Sequence, residues 1–194
     1  MLKNQNNNQK LKACIRNEIL KKRRSVGIYS FYKSHNIMRK FLNCFVIDSD
    51  DIIGVYWPIN SEIDTRPLIS YLIKKKIKIC LPVIENKAMS FKLWMPYEKL
   101  HYSKLKFYSP SSRSQTITPK IIVTPALAVD QEGNRIGYGK GYYDKYYKNN
   151  KSSLYIGYVY EEQILKELPF DKHDLKLNAI VSDNFVRIID KEIL

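Results

Sequence analysis

The sequence predicts an α/β fold: a three-layer, open, mostly parallel sheet flanked by helices. Two observations carry that prediction. First, apolar runs rich in β-branched and aromatic residues (Asp51–Trp57, Lys78–Ile84, Ile121–Val129, Leu154–Tyr160 and Ala179–Ser182) alternate along the chain with segments of helical periodicity. Second, several of these runs are continuous rather than alternating, as in strands buried on both faces. Such alternation builds a parallel sheet with helices on both sides, and its ligands sit beyond the carboxyl ends of the strands.

The elements follow in order. Leu11, Cys14, Ile15 and Ile19 recur at helical spacing and predict a first helix over Gln9–Arg24 with these residues inward. Lys12 and Arg16, one turn apart, share another face. The polar, low-complexity start, residues 1–8, is expected to be a disordered tail. A second helix is expected over Lys33–Phe45, then a strand over Asp51–Trp57 ended by Pro58, then a loop over Pro58–Asp64. A third helix, capped by Asp64 or Thr65, turns Leu68, Ile69, Leu72 and Ile73 inward. Lys78–Ile84 reads as a strand, and the alternating Met89–Trp94 as its hairpin partner. Residues 101–120, rich in Ser, Thr and Pro, read as a long surface loop. Ile121–Val129 is the strongest strand signal. A helix over Tyr142–Lys148, a strand over Leu154–Tyr160, a short helix over Glu161–Glu167 and strands at Ala179–Ser182 and Phe185–Ile189 complete the chain.

Length and composition bound the rest. A chain of 194 residues, 44% hydrophobic, is expected to form one domain, 1–194, with a proper core. No apolar run approaches the roughly 20 residues that span a bilayer, and no secretory signal is visible, so a cytoplasmic protein without membrane attachment is expected. Cys14, Cys44 and Cys80 are widely spaced and are expected to be reduced and buried, with Cys14 and Cys80 in the core. The net charge of +14 suits anionic partners. Lysine is spread evenly, however, and no nucleic-acid motif accompanies it, so nucleic acid is not expected as a partner. The basic run Lys21-Lys-Arg-Arg24 closes the first helix, where the helix dipole favours cations.

The chemistry concentrates in Asn134-Arg-Ile-Gly-Tyr-Gly-Lys-Gly-Tyr-Tyr-Asp144. Three of the chain's seven glycines, Gly137, Gly139 and Gly141, fall here at alternate positions. A glycine-rich turn entering a helix offers backbone N–H groups and the positive end of the helix dipole to an anion. Arg135 and Lys140 add formal charge; Lys12 and Arg16 are available from the first helix. Four cations suit a triphosphate. Asp144 with a second carboxylate such as Asp174 suits Mg²⁺, which takes few protein carboxylates beside phosphate oxygens. The segment is neither a Walker A loop, because Lys140 is followed by Gly141 and Tyr142, nor a dinucleotide fingerprint, because its spacing is Gly-x-Gly-x-Gly and it lies late in the chain. Phosphoryl transfer is the reaction class indicated.

Pro125-Ala-Leu-Ala-Val-Asp130, followed by Glu132-Gly-Asn-Arg-Ile-Gly-Tyr-Gly-Lys-Gly-Tyr-Tyr-Asp144, resembles the signature of the 5-formyltetrahydrofolate cyclo-ligase (methenyltetrahydrofolate synthetase) family. Lys12 with Arg16, Glu62-Ile-Asp-Thr65, Met89-Ser-Phe91 with Trp94 and Pro96, and His173-Asp174 are similar to further family segments, so the resemblance runs from Lys12 to Ser182. It implies a Rossmann-like fold similar to the sugar-phosphate isomerase and CoA-transferase folds. The implied enzyme is a cytoplasmic monomer that uses ATP and Mg²⁺ to convert 5-formyltetrahydrofolate to 5,10-methenyltetrahydrofolate. A polyglutamylated folate is a polyanion that a basic rim would help capture.

The resemblance assigns ATP to Lys12, Arg16, Arg135, Gly137, Gly139, Lys140, Gly141, Tyr142 and Tyr143. It assigns the folate to Trp57, Glu62, Tyr138 and Tyr142, and the metal to Asp144 and Asp174. Lys140, Arg135 and Tyr142 are the implied catalytic residues. The chain departs from the family at Asn178, where a second aspartate is usual, and in Lys106–Pro110, which retains little of the usual loop. Two other classes remain to be distinguished: a basic nucleic-acid-binding module, and a relative acting on sugar phosphates or acyl-CoA without ATP.

Overall fold

The computed structural model describes residues 2–25, 30–103 and 105–190. Its helices are α1 (Leu2–Ser25), α2 (Ser30–Cys44), α3 (Arg66–Lys74) and α4 (Tyr142–Asn149). The strands of the main sheet are β1 (Ile52–Gly54), β2 (Lys78–Glu85), β3 (Ala88–Trp94), β6 (Thr116–Ile117), β7 (Ile121–Pro125), β10 (Leu154–Tyr158), β12 (Ala179–Val181) and β13 (Val186–Ile188). They run in the order β13-β12-β10-β7-β1-β2-β3-β6. The run from β12 to β2 is parallel; β13, β3 and β6 are antiparallel additions at the edges. Strand order therefore reverses direction at β1, which lies between β2 and β7. In an open α/β sheet this reversal opens a crevice at the strand ends.

The expected three layers are present. On one face Ile37 and Phe41 of α2 and Leu68 and Leu72 of α3 pack against Ile53, Leu81 and Val123. On the other, Tyr146 of α4 packs with Cys80, Phe91, Ile122 and Tyr155. Successive residues such as Ile122 and Val123 thus enter opposite cores, which is why these strands read as continuous apolar runs.

Several expectations are corrected. The nine-residue run Ile121–Val129 is not one strand. It breaks at Ala126, and β8 (Ala128–Asp130) joins a second sheet with β9 (Arg135–Ile136) and β11 (Ile164–Leu165). The break is tolerated because its carbonyls are satisfied: Gln163 Nε2 donates to Ala126 O at 2.7 Å and to Leu127 O at 3.0 Å. The expected helix over Glu161–Glu167 is a single 3-10 turn, Glu161–Gln163, before β11 pairs along β8. Residues 101–120 are not one loop; they hold the hairpin β4 (His101–Tyr102) and β5 (Tyr108–Ser109), then the edge strand β6.

α1 is corrected twice. The tail expected at residues 2–8 continues the helix, since no Gly or Pro interrupts it; Met1 lies outside the described residues. Its inward face is also different. Leu11 and Cys14 are exposed, whereas Lys12, Ile19 and Arg23 are buried. The helix lies over carboxylates and carbonyls at the mouth of the crevice, and its cations find partners there. Ile19 joins an apolar cluster with Ala128, Ile136 and Leu168, and the half-buried Ile15 packs against it, as expected for these two residues. Of the cysteines only Cys80 is buried; Cys44 is half-buried.

Candidate active site

A cleft of about 340 Å³ opens at the carboxyl ends of β1 and β7. The loop after β1 supplies Trp57 and Glu62; the exit from β7 supplies Pro125 and Ala126. Arg135, Gly137, Tyr138, Gly139, Lys140 and Gly141 follow from β9 and the turn beyond it. Tyr142, Tyr143 and Asp144 come from the first turn of α4, Lys12 and Arg16 from α1, and Asp174 from the segment before β12. Every site residue named from the sequence therefore faces one cleft.

The glycine turn has the required backbone. Gly139 (φ 92°) and Gly141 (φ 66°) are left-handed, and Gly141 is the N-cap of α4. A Cβ on Gly139 would lie 3.3 Å from the guanidinium carbon of Arg16, so the missing side chain lets the cation sit close against the turn. Arg16 Nε donates to Gly137 O at 2.8 Å, which ties α1 to the turn.

Two cations are already paired with cleft carboxylates. Lys12 Nζ lies 2.6 Å from Asp174 Oδ2 and 2.8 Å from Asp171 Oδ2. Burial pulls the Lys12 pKa down, but hydrogen bonds to both carboxylates outweigh it and leave the pKa raised. Arg135 donates to Asp144 Oδ1 at 2.9 Å and to Pro125 O at 3.3 Å, and its guanidinium lies 5.4 Å from the Tyr143 ring centre. Lys140 is exposed and makes no ion pair among the described residues. Arg135 Nε and the Tyr143 hydroxyl are buried without protein partners.

The other half of the cleft is aromatic and apolar. Trp57 meets Trp94 and Tyr108 edge-on at 6.1 and 6.3 Å, and Pro82, Ile84, Met89, Leu105 and Phe107 extend the wall. Lys106–Pro110, which departs from the family pattern, thus still lines the cleft through Phe107. One carboxylate faces this region. Glu62 accepts the Ile59 N–H at 3.0 Å, and burial pushes its pKa up to about 7, against that hydrogen bond and the charge of Arg23.

The profile of the 5-formyltetrahydrofolate cyclo-ligase family matches residues 8–183. The chain belongs to this family. It is 28% identical over 177 residues to the 5-formyltetrahydrofolate cyclo-ligase of Haemophilus influenzae, covering 86% of this chain and 95% of the relative. It is 28% identical over 143 residues to that of Escherichia coli K12, covering 69% and 79%. The NMR structure of Aquifex aeolicus 5,10-methenyltetrahydrofolate synthetase superposes with a TM-score of 0.79 at 27% identity, over 92% of this chain and 93% of that one. The synthetase from Mycoplasma pneumoniae shares the fold, with a TM-score of 0.71 at 22% identity, over 89% and 98%. The chain is thus an enzyme of the cyclo-ligase family, and the matched range takes in all three walls of the cleft.

A divalent cation is tested against the cyclo-ligase cleft by the state of its carboxylates. No group of three or more His, Cys, Asp or Glu side chains placed for a metal occurs among the described residues. Asp144 Oδ1 accepts from Arg135 and the Leu175 N–H, and Asp174 Oδ2 from Lys12 and the Asp171 N–H. Among the described residues the second oxygen of each makes no hydrogen bond. Two such oxygens fit Mg²⁺ delivered with phosphates, rather than an ion held by protein alone. Asn178 lies elsewhere: its Oδ1 accepts the Tyr155 N–H at 2.8 Å at the start of β10, the opposite end of the sheet. The departure from the family at Asn178 therefore leaves the cleft's charge unchanged.

The residues that sequence reasoning missed are Arg23 and Asp171. Asp171 stands three residues before Asp174, a spacing that signalled the pair. Arg23 was masked by its basic neighbours.

Proposed function

We propose that the chain converts 5-formyltetrahydrofolate to 5,10-methenyltetrahydrofolate in the cytoplasm, as a monomer, with ATP and Mg²⁺ as the energy source. One observation supports this above the others: a single cleft joins a cationic glycine turn to an aromatic wall carrying one carboxylate. The first half suits a triphosphate, the second a pterin. Lys12, Arg16, Arg135 and Lys140 hold phosphates with the N–H groups of Gly137–Gly141, and Tyr142 and Tyr143 close the helix end. Trp57 and Tyr138 flank the folate, and Glu62 accepts hydrogen bonds from the pterin ring.

The formyl oxygen attacks the γ-phosphorus, and the bond to ADP breaks. The second folate nitrogen then attacks the activated carbon and gives up its proton, and phosphate departs with the former formyl oxygen and takes that proton. Lys140 and Arg135 neutralise charge on the transferred group, and Tyr142 positions it between the two substrates. Mg²⁺, held by Asp144 and Asp174, would supply charge neutralisation across the phosphates.

Appearance of methenyltetrahydrofolate absorbance from 5-formyltetrahydrofolate, dependent on ATP, tests the reading. Lys140→Ala is expected to lower kcat/KM for ATP by about 10²-fold, the scale of one lost charge-stabilising donor. Its melting temperature should hold, because Lys140 is exposed. Product formation without ATP would refute the mechanism and favour the sugar-phosphate or acyl-CoA class.

The Lys12 pairing gives a second expectation. With Asp174 and Asp171 held by one ammonium, nucleotide-free protein should bind Mn²⁺ weakly. Lys12→Gln should tighten nucleotide-free Mn²⁺ binding about tenfold while weakening ATP, as read by electron paramagnetic resonance titration. Unchanged Mn²⁺ affinity in that variant counts against the charge exchange.

A further inference from the structure

The basic run at the end of α1 conceals a buried cation. Lys21, Lys22 and Arg24 are exposed, but Arg23 is only 2% exposed. Among the described residues no carboxylate hydrogen-bonds it. Its Nε donates to Ser61 Oγ at 2.9 Å, one terminal nitrogen donates to the Tyr138 hydroxyl, and the other reaches Ala126 O at 3.5 Å. The guanidinium also lies 5.6 Å from the Tyr138 ring centre. Burying a charge is costly, and an apolar side chain would fill the space at less expense. The three contacts explain its presence geometrically. Ser61 adjoins Glu62 in the loop after β1, Ala126 marks the break between β7 and β8, and Tyr138 stands within the glycine turn. A planar fork with donors in several directions spans all three; an ammonium cannot.

We propose that Arg23 is a positioning residue, a strut that sets the distance between the Glu62 loop and the glycine turn. Resting on the proposed reading, its task is to align the folate half of the cleft with the nucleotide half. Binding groups on each half survive its removal, but their register does not. Misplacement on the scale of an ångström costs about 10²-fold in rate. Arg23→Gln is therefore expected to lower kcat by about 30-fold, with either KM changing by less than about threefold. Arg23→Lys should not restore it.

The decisive test is a cycle with Ser61→Ala and Tyr138→Phe in the full chain. Each should lower kcat by about fivefold alone and have no further effect in the Arg23→Gln background. Amide exchange in substrate-free protein supplies a readout independent of turnover: Arg23→Gln should lose protection in residues 58–64 and 137–141 together. Should Arg23→Gln not fold, the Ser61→Ala/Tyr138→Phe double variant still decides: it cuts two of the three Arg23 contacts, so unchanged exchange in both segments overturns the strut. Wild-type kcat retained in Arg23→Gln, or unchanged exchange in both segments, also overturns it. A wild-type protein without ATP-dependent turnover instead overturns the proposed function, and the exchange result then judges the strut alone.

Discussion

Glu62→Gln should give a protein that is more stable and nearly inactive. In the fold the Glu62 pKa is about 7, against an ordinary value of 4.5. Between those values the native state holds a proton that the unfolded chain has released, so stability falls as pH rises through the window. Above about pH 7 the buried charge costs its full amount. Replacing it with an amide should recover roughly 3 kcal/mol at pH 8 and almost nothing at pH 4, read as a melting-temperature difference that shrinks on acidification. Turnover should move the other way. On the proposed reading the ionised carboxylate accepts from the pterin, so wild-type kcat/KM for the folate rises as pH passes 7. The variant should lose about 10²-fold and that limb of the profile with it. The groups facing Glu62 are Arg23, Tyr56, Tyr138 and Tyr143, and burial first, then the Glu62 charge, pushes all three tyrosines upward. None of the tyrosines titrates in this window. A variant with a wild-type pH profile would remove Glu62 from the folate site.

Arg135→Ala should fail in both respects. Arg135 is 7% exposed and carries Asp144, the Pro125 carbonyl and the Tyr143 ring. Deleting it leaves Asp144 half-buried without its partner, and a loss of about 3 kcal/mol in denaturant unfolding is expected. The double variant Arg135→Ala/Asp144→Ala should regain much of that stability, because the stranded carboxylate is gone. ATP-dependent turnover should stay down about 10³-fold in both, since a phosphate ligand is missing in each. Equal stability of the single and double variants would show that the pair contributes nothing to the fold.

These effects were legible in the sequence to different depths. The glycine turn reaches the cleft because β7 ends there and the antiparallel β8–β9 pair brings the chain back beside Leu127, at the same end of the sheet. The break at Ala126 was invisible: Ile121–Val129 is uniformly apolar, and what ends β7 is a distant glutamine, Gln163, taking the carbonyls. The same glutamine hides the 3-10 turn, since its backbone belongs to one element while its side chain serves another. α1 misled for a different reason. Periodicity assumes that apolar residues point inward, whereas this helix lies over a polar mouth and turns Lys12 and Arg23 there instead. Arg23 and Arg24 cannot be told apart by composition; only the 100° between them on the helix separates a strut from a solvated charge.

A helix fastened in this way behaves unlike the rest of the molecule. α2 and α3 rest mainly on apolar surface, which charge screening does not weaken, although Lys33 of α2 also pairs with Asp183 and Glu162. α1 contributes Ile15 and Ile19 to a small apolar cluster and also holds on through ammonium, guanidinium, carboxylate and carbonyl. Its grip therefore weakens with ionic strength while the core beneath does not. α1 contributes no strand to the eight-stranded sheet, and its apolar contacts are confined to the cluster around Ile19. Raising the ionic strength should therefore loosen the N-terminal helix before the sheet beneath it, read as amide exchange that quickens in α1 first.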